Sequence, residues 1–268
     1  MPNCARAPTP DPREPAPAGG RFRPRFRSGA PYLVPLAAAA LAAAGFWVFR
    51  RELVSAGSSL SLESPETQVT EALAHQTRAH LEDVYGFRAG GTAELVPVRY
   101  AEVLPVVEGG TASVVALLDA EGRVRWRDQA AALSYLGREQ FHMKPCGIAL
   151  WCAGGDQFSR LRGVLRTLFR RLDAEEAGDG SAYAALVADD YRDAAWDRAG
   201  VLEKIGRELA ASPRPRVRVL AWQIRVDRDG AEVGEDREVS APGRGSRPSR
   251  ARYRLVRRGE RWLFAAGL

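Results

Sequence analysis

The sequence predicts an α+β fold, with helices packed on an antiparallel sheet and one transmembrane helix ahead of them. Three observations predict it. Phe158, Leu161, Leu165, Leu168 and Leu172 recur at three and four residues, which makes one apolar helix face. Segments of alternating character follow such helices, as in Arg123–Arg127, where Val124 and Trp126 share a face. Residues 30–49 form an uncharged run of twenty, and a helix of that length spans roughly 30 Å of hydrocarbon.

Composition bounds the reading. Of 268 residues, 46% are apolar and 27% charged, the balance of a globular chain. The net charge is +6, yet residues 1–29 alone hold six arginines against Asp11 and Glu14. A basic folded face, which nucleic-acid binding needs, is therefore not implied, and nucleic acid is not an expected partner.

Residues 1–29 contain seven of the 17 prolines and little aliphatic surface, so a disordered basic cytoplasmic tail is expected. Pro31 and Pro35 fall in the first turns of the 30–49 segment, where a missing amide donor costs least. Phe46, Trp47 and Phe49 sit at its far end, where aromatic rings favour the membrane interface. Arg13, Arg21, Arg23, Arg25 and Arg27 precede the span, and only Arg50 and Arg51 follow it closely. That asymmetry places the N-terminus in the cytoplasm and the body outside, in a bacterial inner membrane. Arg21, Arg23, Arg25 and Arg27 serve as a topology signal or as anchors for anionic lipid. Ala42, Ala43 and Ala44 before Gly45 resemble a cleavage site, so a cleaved signal peptide is an alternative, as is a buried Ala-rich soluble helix. Residues 50–63 read as a linker.

The body then shows the same order twice. In the unit at 64–152, Ser64 is an N-cap with Pro65 in the first turn. Val69, Leu73, Leu81 and Val84 follow helical spacing roughly, and Gly86 ends the helix. Strands are expected near 95–104, 112–118, 123–127 and 133–143, with residues 119–122 as a hairpin connection. In the unit at 153–268, the stripe helix is followed by short helices near 181–188 and 198–211. A long strand then runs over 216–227, where Leu220, Trp222, Ile224 and Val226 share a face. Val217 and Val219 are out of that register, so a bulge is expected near 219–220. Strands near 231–239, 252–256 and 261–265 complete the unit, with 241–251 as a solvated loop and 257–260 as a turn.

The second unit resembles the nuclear transport factor 2-like superfamily, which includes ketosteroid isomerase and SnoaL-like cyclases. The matching residues are the stripe from Phe158 to Leu172, the segment from Ala182 to Leu186 running into Asp189, Asp190 and Tyr191, and the closing strand Arg261 to Ala265. The likeness covers about 155–268, and residues 64–152 are similar to a shorter, cystatin-like relative. The resemblance implies a curved, cone-shaped antiparallel sheet with a conical cavity between helices and sheet, with Trp196, Trp222 and Phe264 as its lining. Enzymes of the superfamily set an acid–base pair in that cavity, which makes Asp190, Tyr191 and Asp193 the catalytic candidates here. The bland reading of the same residues is a solvated helix end and a packed core.

No nucleophile elbow, zinc-protease motif or phosphate loop is present. Three histidines leave few metal ligands, and neither metal nor cofactor is expected. Cys146 and Cys152 lie six apart. In an extracytoplasmic body they could form a disulfide; free buried cysteines, or a metal site with His142, are the alternatives. The preferred reading is a non-catalytic, membrane-anchored binding or assembly module. Its organisation resembles bitopic assembly factors of bacterial secretion systems and membrane-associated components of lipid-uptake complexes. By that resemblance its partners are the bilayer, through 30–49, and a protein or a second copy, through the sheet face. The rival is a small-molecule binder or isomerase/hydratase-like enzyme using the cone.

Overall fold

The structure is a computed structural model that describes residues 64–82, 91–147, 150–154, 157–211, 216–241 and 244–268. The expected tail, membrane segment and linker lie outside the described residues, as do Arg21, Arg23, Arg25 and Arg27. Among the described residues, no helix is long and apolar enough to cross a membrane.

Helix α1 (Pro65–Ala74) opens on Ser64, whose hydroxyl accepts from Thr67 N. Val69 and Leu73 are its buried residues. The helix ends at His75, short of the expected Gly86, because the chain turns out to pair with the sheet. Leu81 therefore belongs to strand β1 (Ala79–Leu81) and not to the helix. Four strands follow: β2 (Thr92–Glu108), β3 (Thr111–Trp126), β4 (Gln129–Gly147) and the short β5 (Leu150–Ala153).

The expected connection at residues 119–122 is strand interior: β3 runs unbroken beside β4 from Ala112 to Trp126. Gly122 has a different role there. A Cβ at that position would lie 2.0 Å from the Glu94 carbonyl oxygen, so glycine permits close approach of β2 where β2 is bulged between Leu95 and Val98. The turns fall elsewhere, at Gly109–Gly110, both with positive φ, and after Trp126.

Three helices come next, α2 (Ser159–Ala177), α3 (Gly180–Ala184) and α4 (Arg198–Ala210). The α2 stripe buries Leu161, Leu165, Leu168 and Leu172 as its spacing predicts. Asp179 and Asp197 cap the two shorter helices with their carboxylates. Strands β6 (Arg216–Asp227), β7 (Gly230–Ala241), β8 (Arg244–Arg258) and β9 (Arg261–Ala266) complete the chain. The β6 bulge lies between Val219 and Ala221. It turns Leu220 outward, 39% exposed, and returns Val219 to the core. The expected loop at 241–251 is largely strand, because β7 and β8 stay paired out to Ala241 and Arg244. A two-point contact of Arg250 with Asp236, at 2.6 and 3.2 Å, links this polar stretch across the strands.

The two helix-then-strand units share one nine-stranded sheet, ordered β1-β2-β3-β4-β6-β7-β8-β9, with β5 paired to β4. Residues 132–137 of β4 run parallel to 221–226 of β6, and this seam joins them. One apolar core draws on α1, α2 and the same face of β2, β3, β4, β6, β7 and β8. A smaller core holds Tyr183, Tyr191, Val201 and Ile205 beside it. The helices thus cover the inner face of the sheet. On the outer face Arg99 pairs with Asp119 at 3.3 Å and Arg138 with Glu102 at 2.6 Å. Leu104 and Val106, both more than half exposed, stand on that face, on the part of β2 beyond its pairing with β1.

Candidate functional site

Helix α2 begins without a cap of its own. Phe158 takes a left-handed conformation, its side chain makes no capping bond, and its ring packs edge-on against Phe141. The cap comes from the sheet. Glu139 of β4, fully buried, accepts from Leu161 N at 2.8 Å and Arg160 N at 3.1 Å. The helix N-terminus offers free amides and positive potential, which suits a carboxylate. Tyr135 donates to the same carboxylate at 2.7 Å. Residues 135, 137 and 139 share one face of the strand, and a Cβ on Gly137 would collide with the Tyr135 hydroxyl at 2.6 Å. Burial raises the Glu139 carboxyl above its usual range, against the lowering effect of its hydrogen bonds. Burial and the adjacent Glu139 hold Tyr135 well above the usual phenol range.

Further along α2, Arg171 enters the interior. Its Nη2 donates to Glu235 Oε2 at 2.5 Å, and its Nη1 to the Tyr253 hydroxyl at 2.8 Å and Glu175 Oε1 at 3.2 Å. Trp222 Nε1 donates to Glu235 Oε2 at 2.9 Å, and the Tyr253 hydroxyl donates to Oε1 at 3.2 Å. Arg237 reaches the same Oε1 at 3.4 Å. Arg171 is 1% exposed and Glu235 is wholly buried. Burial favours neutral Glu235, but Arg171 and the hydrogen bonds outweigh it and hold the carboxyl below its usual range. Burial likewise opposes the charge on Arg171, and Glu175 and Glu235 overcome that. Burial pushes the Tyr253 phenol up to about 12.

Beside this network Trp126, Trp222 and Phe169 pack ring on ring, with centroids 5.1–5.6 Å apart. An ionised cluster, in which Arg171 Nε, Glu175 Oε2 and Arg237 Nε stay without a hydrogen-bond partner, and an aromatic stack thus occupy the space between α2 and the sheet. Chemically, Glu235 is an acceptor already engaged by four donors, which suits holding α2 to β6, β7 and β8 better than moving protons.

The residues singled out in the sequence are dispersed. Asp190 is exposed and pairs with Arg258 at 2.7 Å. Tyr191 is buried, and its hydroxyl donates to Asp193 Oδ2 at 2.5 Å and accepts from Leu268 N at 2.9 Å. Asp193 Oδ1 accepts from Ala195 N and Trp196 N, both at 2.8 Å. These contacts tie down the C-terminus and a turn, and they do not converge on the interior. Trp196 is 38% exposed, so it does not line an interior cavity; it precedes the Asp197 cap and leans on Gly200. Trp222 and Phe264 are fully buried, in the ring stack and edge-on to Tyr253 respectively. Cys146 and Cys152 are joined in a disulfide that clips β4 to β5. Among the described residues, no three His, Cys, Asp or Glu side chains gather as metal donors.

Arg171, Glu235, Tyr253 and Glu139 were not singled out by sequence reasoning. A signal was present for two of them, Arg171 and Glu235. Arg171 falls three residues after Leu168, inside the apolar stripe, and Glu235 continues the inward alternation of Ala231 and Val233.

No family model and no protein of curated function matches the chain. Solved structures do resemble it. One is a protein of unknown function from Mycobacterium tuberculosis, 19% identical, TM-score 0.35, covering 40% of this chain and 69% of its own. Another is a candidate dehydratase of the NTF2-like family from Streptomyces avermitilis, 16% identical, TM-score 0.36, covering 41% of this chain and 93% of its own. A third is a protein of unknown function with a cystatin-like fold from Nostoc punctiforme, 13% identical, TM-score 0.34, covering 39% of this chain and 85% of its own. The structural neighbours of this chain are NTF2-like and cystatin-like proteins. The match to the dehydratase-like structure extends to about two-fifths of the chain.

Proposed function

We propose that this chain is a single-pass inner-membrane protein with an extracytoplasmic body, a non-catalytic binding or assembly module that makes protein–protein contacts in a bacterial envelope complex. The observation that carries the reading is the contrast between the two faces of the sheet. The inner face is occupied by apolar packing and a buried ionic network, whereas no described helix packs on the outer face, which carries Val96, Leu104 and Val106 among charged pairs. A shallow depression of about 630 Å³ lies on that face, bordered by Glu94, Val96, Arg123 and Gln223. Exposed apolar residues among ordered charge pairs suit contact with another protein. The Cys146–Cys152 disulfide supports an oxidising compartment for the body. The uncharged segment 30–49 and its flanking arginines support the anchor and its orientation.

The test combines fractionation with protease accessibility. The full chain should stay with membranes through an alkaline wash, and protease added to spheroplasts should digest its C-terminal region. A chain recovered freely dissolved, or a C-terminus cut only after lysis, would refute the reading. A photo-crosslinking residue at Val106 should trap a protein adduct in cells, and one at inward-facing Val114 should not.

A further inference from the structure

A second cleft lies apart from the buried ionic network. It occupies about 650 Å³ between α2, α3 and the start of β9. Arg166 and Arg170, one turn apart on α2, and Arg261 of β9 line it, together with the exposed Ala177, Ala182 and Ala185 and the half-buried Leu263. Three acids also border it, and each is engaged elsewhere. Asp173 takes Arg127 at 2.6 Å, Asp179 accepts from the α3 amides of Ser181 and Ala182, and Glu260 takes Arg257 at 3.4 Å. Among the described residues Arg166 and Arg261 form no ion pair, and Arg166 Nε is shut from solvent without a hydrogen-bond partner. Burial, and then the like charges of Arg166 and Arg261, hold the Arg170 guanidinium below its usual range.

Guanidinium groups crowded at the edge of a half-buried cleft repel one another, and an anion between them would relieve that repulsion. Their planar forks match carboxylate and phosphate oxygens. The alanine side chains along its lining offer no hydrogen bonds, and their small size leaves room for apolar volume. We infer that this cleft binds a small amphiphilic anion, with a carboxylate or phosphate head on Arg166 and Arg261 and an aryl or short alkyl group on the alanines.

The inference is tested with the full chain, by calorimetric titration with phenyl phosphate and with hexanoate. Inorganic phosphate is the head-only control and hexylammonium the charge-reversed one. At least one amphiphilic anion should bind at least tenfold more tightly than inorganic phosphate, and hexylammonium should not bind. The R166Q/R261Q variant should lose at least tenfold in affinity and melt no lower than the parent, because it removes like charge. R261Q alone alters an exposed residue and should lose at least threefold, which keeps the test usable if the double variant folds poorly. Absence of binding by both amphiphilic anions, equal affinity for inorganic phosphate, or affinity unchanged in R261Q would overturn the inference.

Discussion

Removing Arg171 should be among the most damaging single changes in the body. Arg171→Met keeps much of the aliphatic stem but withdraws the guanidinium 2.5 Å from Glu235. Glu235 would stay wholly buried, with Trp222, Tyr253 and the more distant Arg237 as its remaining partners. Breaking one side of a buried pair costs about 3–5 kcal/mol, chiefly through the uncompensated charge left behind. At about 2–4 °C per kcal/mol for a domain of this size, the melting temperature should fall by roughly 6–20 °C. Arg237 should hold the loss toward the lower end. The assay is thermal unfolding of the full chain followed by near-ultraviolet circular dichroism, which also reads the Trp126–Trp222 stack.

The pH dependence gives the test a sign. In the parent the folded-state pKa of Glu235 is depressed. Its contribution is complete above the ordinary carboxylate range and is lost as pH falls through the folded value. In Arg171→Met burial should dominate and raise that pKa above the unfolded value. The variant should then gain stability relative to the parent as pH falls from neutral toward the carboxylate range. Arg171→Met combined with Glu235→Leu should recover most of the loss, because no charge is left buried. A single variant that loses less than about 1 kcal/mol, or a double variant no more stable than the single, would refute this account of the network.

Other outcomes follow from the same geometry. Glu139→Ala should cost about 2–3 kcal/mol in chemical denaturation, since it strands the amides of Arg160 and Leu161 and the Tyr135 hydroxyl, and Glu139→Gln should cost less. Because the folded-state pKa of Glu139 is raised, this carboxyl favours the folded state increasingly as pH falls through that value, and the pH titration of Glu139→Gln should lack that increment. Gly122→Ala should destabilise by about 1–3 kcal/mol, because the added methyl would meet the Glu94 carbonyl oxygen. Reducing the Cys146–Cys152 bond should lower stability by about 2 kcal/mol, given its short loop, and a C146S/C152S variant should show no response to reductant.

Much of the local structure was legible in the chain. The α2 stripe is its own periodicity, and Ser64 with Pro65 marks the start of α1. The β6 bulge was visible as a break in alternation between Val219 and Trp222. Other features misled. Residues 119–122 carry turn chemistry, yet the glycine there answers to a neighbouring backbone. The polar run after Ala241 pairs because β7 supplies both ladder bonds and Asp236 as a counter-charge for Arg250. Helical spacing at Leu81 yielded to a bridge with β2, a contact remote in the chain.

The candidate site divides along the same line. Sequence alone determined what depends on nearest neighbours: helix faces, caps, strand alternation and the uncharged segment at 30–49. Tertiary structure decided which polar residues meet. Arg171 and Glu235 are 64 positions apart, and a pair that distant is joined only when α2 lies across β7. The same holds for Glu139, whose carboxylate reaches a helix start 21 and 22 residues later. Periodicity marks which side of an element turns inward, but burial of a charge is tolerable only beside its partner, and that partner is chosen by the packing of elements.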